Sequence, residues 1–229
     1  MKTDFVHTSC IDRLAPRDFQ FIEEIFPGDH RPETLHALLA DREMLVALLD
    51  HNTLFQAVID LPMPLAITPQ LYFFVLVRKS FTRAGIEDVD LADYVAATLA
   101  GHASGRSLGS APVPGDRPDL DFTYHVDFIE SMTGLSDSEQ FFLHVQCGNH
   151  FLVLTGLFPN FLDHRAERRG APGLNYYENV ARTAFLIAAD HPLACEFDLN
   201  GVYPRLADSF RQTRQALNHL ADDYLFLGS

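Results

Sequence analysis

Signals that start helices recur along this chain, and they constrain the fold more than any other feature. Ser136 and Glu139 have the spacing of a capping box, in which a hydroxyl and a carboxylate satisfy the free N–H groups of a helix start. Thr68-Pro69 combines an N-cap hydroxyl with a proline at the first helical position. Apolar residues then recur at helical spacing, and no segment alternates as strands do. The chain is therefore predicted to be all-α, with about eight to ten helices around a core rich in Phe and Leu.

Two apolar segments fit more than one kind of secondary structure. Residues 71–77 are apolar all round, which is typical of a buried strand or a central helix. The Thr68-Pro69 start and the length of the segment favour a helix over 70–84. The shorter segment 54–61 fits either a short helix or a strand.

The remaining helices are predicted from their caps and their periodicity. Asp90 is predicted to cap a helix over 91–99, and Asn175 with Glu178 resembles a second capping box. The other predicted helices cover 18–26, 33–49, 121–132, 137–157, 160–168, 175–190, 202–210 and 213–225.

The segment Gly101–Leu120 interrupts this pattern. Half of its residues are Gly, Ser or Pro, a composition that buries too little apolar surface to offset the entropy lost on ordering. We predict a flexible surface loop between two helical halves of one domain, 1–229, because each half alone would bury little.

Charge and composition exclude several classes of protein. The chain carries 31 acidic and 17 basic residues, a net charge of −14, which repels phosphate backbones and anionic lipids. No apolar run approaches the roughly 20 residues of a membrane span, and the N-terminus lacks an apolar signal core. The three cysteines show no CxxC spacing. We therefore predict a cytoplasmic protein that binds neither nucleic acid nor membranes.

Motifs that carry catalysis or bind metals are weak in this sequence. Gly105–Gly109 matches the GxSxG pattern of hydrolases, but that motif needs a strand before the serine, and none is predicted. Glu33 with His36 forms a single ExxH pair, whereas a di-metal bundle needs a second one. Asp121 and His125 are predicted to share one helix face. We predict no metal site, and the sequence identifies no cofactor.

The predicted helix over 137–157 carries an interrupted polar stripe. Glu139, Gln146, Asn149 and His150 fall within about a third of the helix circumference. The simplest interpretation is a solvated stripe on an amphipathic helix, but Phe142 and Val153 share that face and weaken this interpretation. Half-buried Gln, Asn and His side chains need hydrogen-bond partners, and either a ligand or the neighbouring backbone can supply them.

A cluster of basic residues follows that helix. Arg165, Arg168 and Arg169 lie within five residues of one another, before a predicted helix start with Tyr176 and Tyr177 in its first turn. Guanidinium groups beside the free N–H groups of a helix start favour a carboxylate or a phosphate. The alternative is a loop whose arginines pair with surface carboxylates.

Three functions remain open from the sequence alone. The favoured prediction is a helical binding or regulatory domain that recognises a small anionic ligand or a partner protein. Its candidate residues are Gln146, Asn149, His150, Arg165, Arg168, Arg169, Tyr176 and Tyr177. The alternatives are a helical enzyme that uses His and acidic side chains, with or without a metal, and a structural interaction module without a ligand.

Overall fold

The chain is an all-α protein built around buried aromatic and aliphatic side chains. The computed structural model describes residues 9–26, 41–61, 66–104, 110–111, 120–121, 128–130 and 132–225. Of residues 110, 111, 120, 121 and 169 it describes only the backbone. The described residues contain ten helices of seven residues or more, as predicted. They belong to two compact units, one formed by Ser9–Ala100 and the other containing the chain from Gly101 onward. That the whole chain acts as one domain stays a prediction.

The described residues of the first unit form a short 3₁₀ helix and five α-helices. The 3₁₀ helix covers Ile11–Arg13, and the α-helices are α1 (Pro16–Ile25), α2 (Arg42–Leu49), α3 (Asn52–Ile59), α4 (Pro69–Arg83) and α5 (Val89–Ala103), which runs just beyond the end of this unit. Helix α4 confirms the prediction for 70–84, because the Thr68 hydroxyl accepts a hydrogen bond from the Leu71 N–H. The ambiguous segment 54–61 is helical in α3 as far as Ile59.

Two helix predictions in this unit are corrected, the continuity of one helix and the start of another. Residues 33–40 lie outside the described part, and α2 begins only at Arg42, because Asp41 is in an extended conformation and caps it. An unbroken helix over 33–49 is therefore excluded. Helix α5 begins at Val89, and Asp88 rather than Asp90 accepts the hydrogen bond from the Leu91 N–H. The first error arises because apolar residues keep helical spacing on both sides of Asp41. The second arises because Asp88 and Asp90 are both acceptable N-cap residues two positions apart.

Buried carboxylates connect the helices of the first unit. Asp18 accepts hydrogen bonds from the backbone N–H of Ala15 and from both the N–H and the hydroxyl of Thr68. It thereby joins the start of α1 to the start of α4. Asp93 of α5 likewise accepts hydrogen bonds from Cys10 and Ile11 at the start of the 3₁₀ helix. Each carboxylate therefore accepts hydrogen bonds from N–H groups near a helix start that is distant from it in sequence.

The second unit begins with a small irregular region. Ser110–Ala111 (β1) pairs antiparallel with Leu120–Asp121 (β2). The predicted loop Gly101–Leu120 is thus wrong at its start, where Gly101–Ala103 finish α5, and most of its remainder lies outside the described residues. The predicted helix over 121–132 is wrong at Asp121, which lies in β2. The GxSxG segment, His125 and the Glu33–His36 pair lie outside the described residues.

The helical part of the second unit follows the predictions closely. From residue 132 to residue 225 the structure shows α6 (Asp137–Leu157), α7 (Pro159–Arg169), α8 (Leu174–Ala189), α9 (Pro192–Glu196), α10 (Val202–Asp208) and α11 (Phe210–Leu220), followed by a π-helical turn, Ala221–Leu225. The capping box of Ser136 and Glu139 starts α6 as predicted. Helix α6 packs against α8 and α11, and α8 also packs against α10.

A glycine permits the close packing of α6 against α8. A methyl group at Gly148 would lie 2.7 Å from Cζ of the fully buried Phe185 ring. Alanine is a better helix former than glycine by about 1 kcal/mol. If packing is ignored, Gly148→Ala is therefore expected to stabilise the protein. Packing opposes this gain, since a contact under 3.0 Å forces the ring or the helices to move.

We expect Gly148→Ala to lower the free energy of unfolding by about 1–3 kcal/mol, measured by urea denaturation. Combining it with Phe185→Leu removes the clashing ring, so Gly148→Ala is expected to cost much less in that background. An equal cost in both backgrounds would show that ring contact is not the cause.

No single described helix is long and apolar enough to cross a membrane. Helices α6 and α7 meet the length and composition criteria only as a pair, and they are bent by 91° relative to each other.

Candidate functional site

A groove lies on the surface of the second unit between α6 and α8. Its volume is about 230 Å³, and most of its surface is apolar. Helix α6 contributes His144 and Cys147, and Met132 lies at its side. The other lining residues come from α8: Tyr176, Asn179, Val180, Thr183, Ala184 and Ile187.

The groove exists because α8 carries two apolar stripes. Tyr177, Ala181, Ala184 and Ala188 follow the 4-3-4 spacing of one helix face, and all are buried. Tyr176, Val180, Thr183 and Ile187 repeat the same spacing one position earlier. Tyr176 is 42% exposed and Ile187 is 46% exposed, although each belongs to a helix that already buries an apolar face. The second stripe is left open to solvent.

The described lining of the groove is uncharged at neutral pH. Among the residues that the structure describes, no acidic residue, Lys or Arg lines it. Burial lowers the pKa of His144 below its ordinary value of 6.5, so its imidazole is neutral. Burial also raises the pKa of Cys147 to about 12, so its side chain stays a thiol. Both shifts oppose the thiolate–imidazolium pair that a cysteine nucleophile requires.

The polar stripe predicted on α6 is partly buried. Gln146 and Asn149 are half-buried, and His150 is only 7% exposed. The Nε2 atom of His150 has no hydrogen-bond partner among the described residues. Burial, followed by the charge of His102, lowers the pKa of His150 to about 4. The ring is therefore held neutral in an apolar environment.

An aromatic cluster joins His150 to the groove. The His150 ring lies 5.0 Å from the Phe151 ring, measured between centroids, and Phe151 stacks on Tyr177 at 4.9 Å. Tyr177 in turn meets Tyr176 edge-on at 5.3 Å. Three of the candidate residues, His150, Tyr176 and Tyr177, are thus brought together through Phe151, and Tyr176 alone among the candidates lines the groove.

Two arginines of the predicted basic cluster differ in their exposure. Arg165 is only 8% exposed, and its guanidinium carbon lies 5.1 Å from the centroid of the Phe161 ring. Arg168 is exposed, and the side chain of Arg169 is outside the described part. Among the described side chains, Arg211 lies beside the start of α8 and donates a hydrogen bond to Asn175.

The capping box predicted at Asn175 and Glu178 is wrong. Helix α8 begins at Leu174 with Gly173 as its N-cap, and no side chain caps it. Glu178 is buried and accepts hydrogen bonds from Arg211 at 3.0 Å and Arg214 at 2.6 Å. Arg214 also donates to Asn218, whose amide donates to the Thr155 carbonyl near the end of α6. This network, Glu178–Arg211–Arg214–Asn218, joins α6, α8 and α11.

Titratable side chains do not converge elsewhere to form a recognisable metal centre. Within the described ranges, no group of three or more His, Cys, Asp or Glu side chains is placed to hold a metal ion. The absence of a metal site in the whole chain stays a prediction.

Comparison with known proteins identifies no relative of the chain. No known family model matches the chain, and neither a curated protein nor a solved structure is significantly similar to it. The fold and the groove therefore define the class only as an all-α protein with an open interhelical groove.

Proposed function

We propose that the chain is a helical binding domain that recognises a partner protein through the groove between α6 and α8. The observation that carries this proposal is a groove whose described lining is uncharged and mostly apolar, left open along a helix whose neighbouring stripe is buried. Exposed apolar surface of this kind costs free energy in water, and it is typical of an interaction site.

The size of the groove favours part of a protein over a whole small molecule. Pockets that enclose drug-sized ligands measure about 300–1,000 Å³. The groove has about 230 Å³, which suits one or two apolar side chains. Such anchors in desolvated pockets supply most of the affinity of many interfaces.

An enzyme is the second candidate, because His144 and Cys147 lie three residues apart on α6 and both line the groove. The neutral imidazole and the protonated thiol make this candidate weaker. The predicted anion site over 165–177 stays a prediction, since Arg165 packs on Phe161 while Arg168 is exposed.

A titration with indole, a probe that mimics one aromatic anchor, tests the proposal. We expect saturable shifts in the methyl NMR signals of Met132, Val180 and Ile187, with a dissociation constant on the order of millimolar. Leu186 is the internal control, because it is 44% exposed beside Ile187 but does not line the groove. Shifts that do not saturate, or that affect Leu186 equally, would contradict the proposal.

A further inference from the structure

We infer that the occupant of the α6–α8 groove is the apolar face of a basic amphipathic helix from a partner protein. This inference rests on the proposed function and adds the form and the charge of the partner. It follows from the length of the groove, the spacing of its lining residues and the net negative charge of the chain.

The shape of the groove matches a helix better than a strand or a loop. Its α8 side runs from Tyr176 to Ile187, about 16 Å along the helix axis. Lining residues recur along α8 at the 4-3-4 spacing of a coiled-coil seam, and His144 and Cys147 face them from α6. Two neighbouring helices with such a seam form a groove that accepts the ridge of a third helix. An incoming helix would contribute anchors at positions i and i+3 or i+4.

The charge of this chain indicates which residues flank the apolar anchors on the partner. The described lining of the groove is uncharged, but the chain from Gly101 onward carries 16 acidic and nine basic side chains, a net charge of −7. Exposed carboxylates flank the groove in sequence, with Glu130 before Met132 and Asp190 after Ile187. A partner with lysine or arginine beside its apolar face is therefore attracted, and an acidic one is repelled.

The same charge argues against a second copy of this chain as the occupant. Each copy carries a net charge of −14, so a symmetric pair would bring two acidic surfaces together. An oppositely charged partner removes that repulsion and leaves the apolar contact unopposed.

The test uses designed helical peptides and the full chain. The probe is an 18-residue peptide with leucines at i, i+4 and i+7 and lysines on both flanks of that face, compared with the same peptide carrying glutamates. A third peptide has the lysine composition in scrambled order, without an apolar face. We expect the glutamate and scrambled peptides to bind at least about tenfold more weakly than the lysine peptide in fluorescence anisotropy.

A matched pair of variants locates the binding site. Ile187→Lys and Leu186→Lys make the same change of charge at neighbouring, equally exposed positions of α8. We expect Ile187→Lys to weaken binding of the lysine peptide about tenfold or more, and Leu186→Lys to weaken it less than about threefold.

Each other outcome overturns the inference in a distinguishable way. Equal losses in the two variants would show that the peptide binds elsewhere through charge alone. Binding of indole without binding of the lysine peptide would overturn the helix while leaving the proposed function intact, and failure of both probes would overturn both. Self-association that Ile187→Lys abolishes, seen by sedimentation, would identify a second copy as the occupant.

Discussion

Replacing Glu178 with glutamine is expected to lower the free energy of unfolding by about 3–5 kcal/mol, the largest effect of any single substitution considered. Glu178 is 3% exposed and is the shared acceptor of Arg211 and Arg214, of which Arg214 is also buried. Glutamine keeps the size of the side chain but removes its charge. Arg214 then remains in a buried position without a carboxylate, and it cannot lose its own charge. Thermal and urea unfolding of the full chain measure the change.

Arg211→Ala is the matched control for this prediction. Its side chain is 67% exposed and bonds to the same carboxylate, so water and salt already weaken that ion pair. We expect a loss below about 1 kcal/mol. If Glu178→Gln also costs less than about 1 kcal/mol, the buried network does not hold α6, α8 and α11 together.

Acid is expected to destabilise the protein through His150, and His150→Leu is expected to remove that effect. The pKa of His150 is lowered from 6.5 to about 4 in the folded chain, mainly by burial. The unfolded chain therefore takes up a proton at higher pH than the folded chain does. Stability from this group is complete above pH 6.5 and is lost as the pH falls towards 4, by about 3 kcal/mol in total.

The measurement is the free energy of unfolding at several pH values between 7 and 4. His150→Leu is expected to lose less stability than the wild type over this range, because leucine does not titrate and suits the neighbouring Phe128 and Phe151 rings. His219→Gln is the control, since His219 is exposed on α11. If His150→Leu loses as much free energy of unfolding between pH 7 and pH 4 as the wild type does, other groups cause the loss of stability in acid.

Local signals made most of the helices predictable. The hydroxyls of Thr68 and Ser136 cap the helices that follow them because the donor and the acceptor lie three residues apart. Asp88 is not singled out by the sequence because Asp90 offers an equally plausible start. The interruption at Asp41 is hidden because the apolar spacing continues past it. The two-residue pairing of β1 with β2 depends on residues about ten positions apart and gives no periodic signal.

The candidate site was harder to predict, because it depends on contacts distant in sequence. Glu178 was read as a local cap, but its partners Arg211 and Arg214 lie 33 and 36 residues further along the chain. The groove did leave a signal, since Tyr176, Val180, Thr183 and Ile187 form a second apolar stripe on a helix that already has one. Recognising it requires knowledge of which stripe the core buries.

Burial of His150 and exposure of Tyr176 follow from the same packing. Because Gly148 lets α6 approach α8 closely, the aromatic rings of Phe151 and Tyr177 stack between the helices. The α8 stripe that begins at Tyr176 points out of this interface. The close packing of α6 on α8 thus buries α6 and also leaves the groove open beside the interface of the two helices.

Intermolecular NOEs between the lysine-flanked peptide and the full chain test the assignment of the groove most directly. We expect NOEs from the leucine methyl groups of the peptide to the side chains of Val180, Thr183 and Ile187, which line the groove. They should be absent for Leu186, despite its similar exposure. If the leucine methyl groups instead contact Phe161, the exposed aromatic residue of α7, the groove between α6 and α8 is not the binding site.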